Sequence, residues 1–224
     1  MKKSDCHTEG AMAGLMKATK NGELTGAEAI RYIKALERRK RRKYRRLLAD
    51  EATKARSGKP MSLERAKRLL KYHDSFSRLE AIIGFDWMMN RRSWLRLLGE
   101  YWTISDNLYV WDEWLRELLP KRTTLLMMNQ QERAAWQEIP ATVTVYRGCS
   151  EINMMGLSWS LCPKIAAKFP TLMRYAPPTG QQPLLLTGQV AKSRITAIKL
   201  DRDEQEIIAL NVRQVQVSPL EVRG

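Results

Sequence analysis

The chain has 224 residues and carries 39 Lys and Arg against 24 Asp and Glu, a formal net charge of +15. That length supplies core for one large domain or two small ones, and the charge predicts an acidic partner: nucleic acid, an anionic surface or an acidic protein. The cysteines Cys6, Cys149 and Cys162 show no paired spacing and only His7 and His73 are present, which argues against a zinc site, a Cys-His nucleophile pair or a Ser-His-Asp triad and favours carboxylate chemistry without a metal.

Lys2 and Lys3 open the chain as a signal peptide would, but Asp5, His7 and Glu9 interrupt any apolar stretch. No run approaches the length of a membrane span. Residues 1–24 therefore read as a flexible N-terminus, and the chain as a cytoplasmic protein without a membrane partner. Thr25-Gly26-Ala27-Glu28 fits a capping box, and Ile30, Ile33 and Leu36 follow at helical spacing. The charge is concentrated here, with 21 Lys and Arg against 9 Asp and Glu in residues 1–75. Arg38, Arg39, Lys40, Arg41, Arg42, Lys43, Arg45 and Arg46 put eight cations into nine residues around Tyr44. Such a run is a solvated helix, a contact for a nucleic-acid backbone, or a dock for an acidic protein. Ser57-Gly58-Lys59-Pro60 breaks this helix, and a second is expected over Ser62 to Ile83, so residues 25–75 form a basic helical arm.

Three further helices are expected: Phe85 to Leu98, stopping at Gly99; Asp106 to Leu119, stopping at Pro120; and Gln131 to Glu138. Six of the seven tryptophans fall in this near-neutral stretch. Their spacing suits a helical layer packed on a sheet better than a base-stacking platform, with Met127 and Met128 filling gaps. No linker separates this layer from the strand expected at Thr142, so residues 76–138 join residues 141–224 in one domain.

Thr142 to Tyr146 reads TVTVY between Pro140 and Gly148, a strand that puts Val143, Val145 and Arg147 on one face. Ser158-Trp159-Ser160 precedes a short helix with Ile165, Ala166 and Phe169 inward. A Pro- and Gly-rich loop spans 170 to 183, and one or two strands fill Leu184 to Leu200. Glu204 and Glu206 then share a strand face with Ile208 and Leu210, and a last strand carries Val212, Val215 and Val217. Two carboxylates where a strand enters the core are costly without a use. Taken singly, an Arg at a strand end is usually a salt-bridge partner, a Ser-x-Ser before Pro163 a cap, and a Glu-Gln-Glu a solvated face. Their joint occurrence on core-directed faces argues otherwise. With no P-loop and no GxGxxG, a dinucleotide here would not be bound in the Rossmann manner.

In this order, Tyr146-Arg147-Gly148, Ser158-Trp159-Ser160 and Glu204-Gln205-Glu206 resemble the R-S-E class of ADP-ribosyltransferases, the phage and bacterial-toxin branches above all. The likeness covers roughly residues 141 to 210. Trp159 stands where the class usually has threonine. The resemblance implies an α+β fold, a helical N-terminal half followed by a core of two small packed β-sheets, and NAD as co-substrate. It implies that Glu206 stabilises the charge developing on the ribose, that Arg147 holds the cofactor, and that Gly148 lets the nicotinamide amide approach. Ser158 would orient Glu206, while Glu204 would position or deprotonate the acceptor. Ser160, Phe169 and, in the loop over NAD, Arg174 and Tyr175 are further contacts.

The acceptor stays open between RNA or a nucleoprotein, which the basic arm favours, and protein arginine, with which a Glu two residues before the catalytic one is most often associated. The setting would be a phage effector, a bacterial toxin or a defence protein, with a neutralising antitoxin or partner protein allowed. The reading from a different class is a non-catalytic basic nucleic-acid-binding module in which Arg147 and Glu206 form a structural ion pair.

Overall fold

The computed structural model describes residues 20–21, 25–106, 108–172, 181–201 and 205–220. The chain divides into two units, Met1–Thr53 and Lys54–Gly224. The first is described almost entirely by helix α1, Gly26–Arg56. Its start is the expected capping box: the Thr25 amide donates to the Glu28 carboxylate at 2.8 Å, and the Glu28 amide donates to the Thr25 hydroxyl at 3.3 Å. The helix continues unbroken through the cationic run, whose eight Lys and Arg are all exposed. It ends where Gly58 takes φ +81° and the Lys59 amide closes on the Lys54 carbonyl at 2.9 Å.

In the larger unit the helices are shorter than their periodicity suggests. Ser62 to Ile83 is two helices, α2 (Leu63–Leu70) and α3 (Arg78–Gly84). The break is made by Asp74, whose carboxylate accepts the amides of Phe76 and Ser77 at 3.2 and 2.9 Å, offering the backbone a turn in place of helix. α2 therefore belongs with the larger unit, not with the arm. Phe85 to Leu98 is likewise a single turn, Asp86–Met88, and then α4 (Arg91–Tyr101), started by Asn90 accepting from the Ser93 amide at 2.9 Å. Gly99 does not stop α4. A side chain there would strike the backbone of Met127, so glycine serves the close approach of the turn Leu125–Met127. Asp106 to Leu119 contracts to a turn at Leu108–Trp111 and α5 (Asp112–Leu118), while α6 (Gln130–Glu138) lies as expected. Leu79, Ile82, Phe85, Trp94, Leu97, Leu98 and Trp102 fill the core of this layer; truncating Leu97 to Ala would cost about 2–5 kcal/mol. Trp87 and Trp114 are more than half exposed, so the tryptophans do not all pack inward.

The strands are β1 (Thr142–Cys149), β2 (Ser158–Ser160), β3 (Leu184–Ala191), β4 (Ile195–Lys199), β5 (Glu206–Ala209) and β6 (Arg213–Pro219), with α7 (Pro163–Lys168) after β2. All pairings are antiparallel, in the order β4-β5-β2-β1-β3-β6. The fold is thus α+β, and the described strands make one six-stranded sheet where two small packed sheets were expected. The continuity is narrow. β1 pairs with β3 along its whole length, but with β2 only through Tyr146 and Ser160. β4 and β5 are buried throughout, and β6 is an exposed edge. α6 is tied to β4 by a wholly buried ion pair, Lys199 to Glu132 at 3.0 Å. Glu132 also accepts the amides of Asn129 at 2.7 Å and Leu200 at 3.4 Å. Among the described residues no helix is long and apolar enough to cross a membrane.

Candidate active site

The narrow junction of the sheet is where the chemistry-bearing residues meet. The end of β1 supplies Tyr146, Arg147 and Gly148 to a cleft; β2 supplies Ser158, Trp159 and Ser160; the first residue of β5 is Glu206; and Phe169 follows α7. The opposite wall comes from the helical layer: Trp102, Thr103, Ser105, Leu108 and Tyr109. All six candidate residues of the larger unit that lie in the described segments line this one cleft. Glu204 and Arg174, with Tyr175, lie outside the described residues. The cations of α1 belong to the other unit.

Glu206 sits between Ser160 on β2 and Lys199 on β4 in the sheet register. The residue before it, Gln205, takes φ +46°, a left-handed conformation uncommon for a side-chain-bearing residue, and its carbonyl accepts the Leu161 amide at 3.0 Å. The Glu206 carboxylate is buried. It accepts the Trp102 indole N–H at 2.7 Å and a hydrogen bond from the Ser158 hydroxyl. Burial raises its pKa above the usual carboxylate range, against the opposing pull of Ser158, Trp102, Lys199 and Arg147. Ser158 is thus one of two side chains that hydrogen-bond to this carboxylate.

Arg147 is committed in part to the fold. Nε and Nη2 donate to the Asn153 carbonyl at 3.2 and 2.8 Å, and Nη1 donates to the Ser158 carbonyl at 2.5 Å. That uses three of the five N–H donors of a guanidinium and leaves two, one on each terminal nitrogen. A side chain at Gly156 would collide with this guanidinium. Arg147 and Glu206 each hydrogen-bond to other groups while still feeling each other's charge. Burial pulls the Arg147 pKa below its ordinary value, opposed by Cys149, Asp112 and Glu206.

Gly148 and Ser160 line the cleft but have local duties too. The space beside the Gly148 Cα is filled by the Ala166 carbonyl and Pro170, so its missing side chain lets α7 press onto β1. The Ser160 hydroxyl accepts the Cys162 amide at 3.0 Å, a local turn before α7, whose first turn has no side-chain cap where the sequence suggested one.

Sequence reasoning missed Trp102. It falls between the helices expected at 85–98 and 106–119, and it is only 1% exposed. Its partner carboxylate is 104 residues away, beyond any local pattern; the one signal was that a buried indole N–H needs an acceptor. Comparison with models of protein families, with curated proteins and with solved structures returns no match.

Proposed function

We propose that this chain is an NAD-dependent mono-ADP-ribosyltransferase of the R-S-E class, which releases nicotinamide and passes ADP-ribose to a macromolecule. The observation that carries this reading is the convergence of Arg147, Ser158 and Glu206 on one cleft, with a Ser158–Glu206 hydrogen bond. NAD brings a glycosidic bond to a positively charged nicotinamide, which leaves as a neutral ring. In this reading the ionised Glu206 stabilises the positive charge that develops on the ribose as that bond breaks. Trp102 and Ser158 fix the carboxylate beforehand and favour its charged form. The two N–H groups that Arg147 retains are suited to a phosphate or ribose oxygen. The aromatic walls Trp102, Tyr109, Tyr146 and Phe169 fit a planar ring and limit water. The two-sheet core of the class corresponds to the halves β4-β5-β2 and β1-β3-β6, joined by the single Tyr146–Ser160 pair.

The acceptor in this reading is RNA or a nucleoprotein, favoured by the exposed cations of α1. Protein arginine is the rival. Labelled NAD added to a cell lysate with the protein tests both: the product should be lost on nuclease digestion and survive protease. A product lost to protease alone hands the acceptor to protein arginine, and no labelled product or released nicotinamide under any condition rejects the transferase reading.

A further inference from the structure

From the strand register we infer that Lys199 is a positioning residue for Glu206: it stands as a fixed positive charge opposite the carboxylate and holds it in its charged form. The use of that charge rests on the transferase reading; its presence can be tested without NAD. From Ala197 onward β4 pairs with β5 without a slip, and the last pair sets Lys199 opposite Glu206. Directly opposed residues of an antiparallel pair send their side chains to the same face, with Cβ atoms about 4.5–5.5 Å apart. Lys199 and Glu206 are therefore neighbours on one side of the sheet. Both are withdrawn from water, at 3% and 8% exposure.

That side meets the helical layer at one corner. The Lys199 ammonium donates to the Glu132 carboxylate at 3.0 Å and to the Met127 carbonyl at 3.2 Å. Met127 is the residue whose backbone passes against Gly99 of α4. Trp102, directly after α4, donates to Glu206 at 2.7 Å. The two strand residues thus enter adjoining points of one helix–turn contact, the ammonium held by a carboxylate and a carbonyl, the carboxylate by an indole. A buried ion pair is a poor source of stability, and an apolar pair of similar volume would close this corner with less desolvation. It would not give Glu206 a cation across the strand gap. The groups that act on Glu206 are Ser158 from β2, Trp102 from the helical layer, Lys199 from β4 and Arg147 from β1, and of these only the last two carry charge. Arg147 lines the cleft, so in the transferase reading an NAD phosphate would neutralise part of its field. Lys199 is not among the residues that line the cleft. Its charge therefore persists with substrate bound, when an ionised carboxylate is needed beside the developing ribose cation. Glu132 compensates the buried ammonium and offsets part of its field.

The test follows the Trp102 indole N–H by proton–nitrogen NMR of the full chain without NAD, beside nicotinamide release measured against pH. The resonance is assigned by its absence in Trp102→Phe, and Glu206→Gln should abolish its titration. Lys199→Gln deletes the charge and keeps an N–H donor for Glu132. The indole midpoint should then rise by about one pH unit or more, as expected on losing a nearby opposite charge. The acidic limb of nicotinamide release should move up with it. A role in packing alone would lower release at every pH and leave both midpoints in place, which would overturn the inference. Lys199→Met/Glu132→Gln removes both charges and keeps an acceptor oxygen for the first turn of α6. It should shift the midpoint in the same direction, and it carries the test if the single variant does not fold. An unmoved indole midpoint in either folded variant would overturn the inference. A raised midpoint in a protein whose wild type releases no nicotinamide at any pH would uphold the charge assigned to Lys199 and reject the transferase reading alone.

Discussion

Two groups of charges in this chain live under opposite conditions. On α1 the eight cations of residues 38–46 stand exposed along one continuous helix. In the larger unit Glu132, Lys199 and Glu206 are withdrawn from water, and each is bound by named groups at fixed distances. A charge in water costs little to keep and acts through its field over roughly a Debye length. A buried charge must be paired or hydrogen-bonded, so its geometry is set before any substrate arrives. The first condition suits capture of a polyanion and the second suits orientation of a reacting bond.

Substitutions that cross this divide should behave very differently, and the largest effect on stability belongs to the Lys199–Glu132 pair. Glu132→Ala leaves Lys199 buried without its counter-charge and should cost about 3–5 kcal/mol in denaturant unfolding. The double change Lys199→Met/Glu132→Leu should recover only part of that loss, because it removes the unpaired charge but leaves the Asn129 and Leu200 amides without their acceptor. A mild single variant would mean that the pair is not as dry as its burial indicates.

Trp102→Phe keeps most of the ring and deletes one N–H, so it should cost about 1–3 kcal/mol. The sharper readout is pH. Burial already raises the Glu206 pKa, and Trp102 is one of the groups opposing that rise, beside Ser158, Lys199 and Arg147. Removing it should move the acidic limb of NAD cleavage to higher pH, while a purely packing role would leave the limb in place.

Glu206 also makes a stability prediction with a definite sign. Its folded pKa lies above its unfolded one, so the native state holds its proton more tightly. Stability is lost as pH rises from the unfolded value through the folded one. Glu206→Gln should therefore be more stable than wild type near neutrality in thermal unfolding, with the gap closing below about pH 4. A variant less stable at neutral pH would contradict the buried-carboxylate picture. The smallest stability effect is expected on α1: replacing Arg38, Arg39, Arg41 and Arg42 by Glu should shift stability by about 0.5 kcal/mol or less per substitution. The same protein should release nicotinamide normally and fail to label macromolecules.

The parts of this molecule that the sequence made legible are those with a local cause. The alternation of TVTVY sets β1; Thr25 and Glu28 announce the start of α1; and Ser158-Trp159-Ser160 before Pro163 marks β2 and the helix after it. Helix ends were less legible, because Asp74 and Asn90 bond to the backbone at positions where the apolar periodicity continues. Gly99 reads as a helix stop but is small because Met127 passes close to it. The single sheet was hidden because its continuity depends on one pair between strands that the alternation pattern treats separately. Trp102 was hidden for the same kind of reason: what makes it part of the site is a contact between the helical layer and β5.

The central claim is that the buried carboxylate of Glu206 cleaves NAD. The most direct measurement is nicotinamide release from NAD by the purified full chain, wild type against Glu206→Gln, with folding of both verified by circular dichroism. Gln keeps the shape and loses the charge, so release should fall by about a hundredfold or more, in the range typical for removing one preorganised electrostatic stabiliser. Release at the wild-type rate from a folded Glu206→Gln protein would contradict the account.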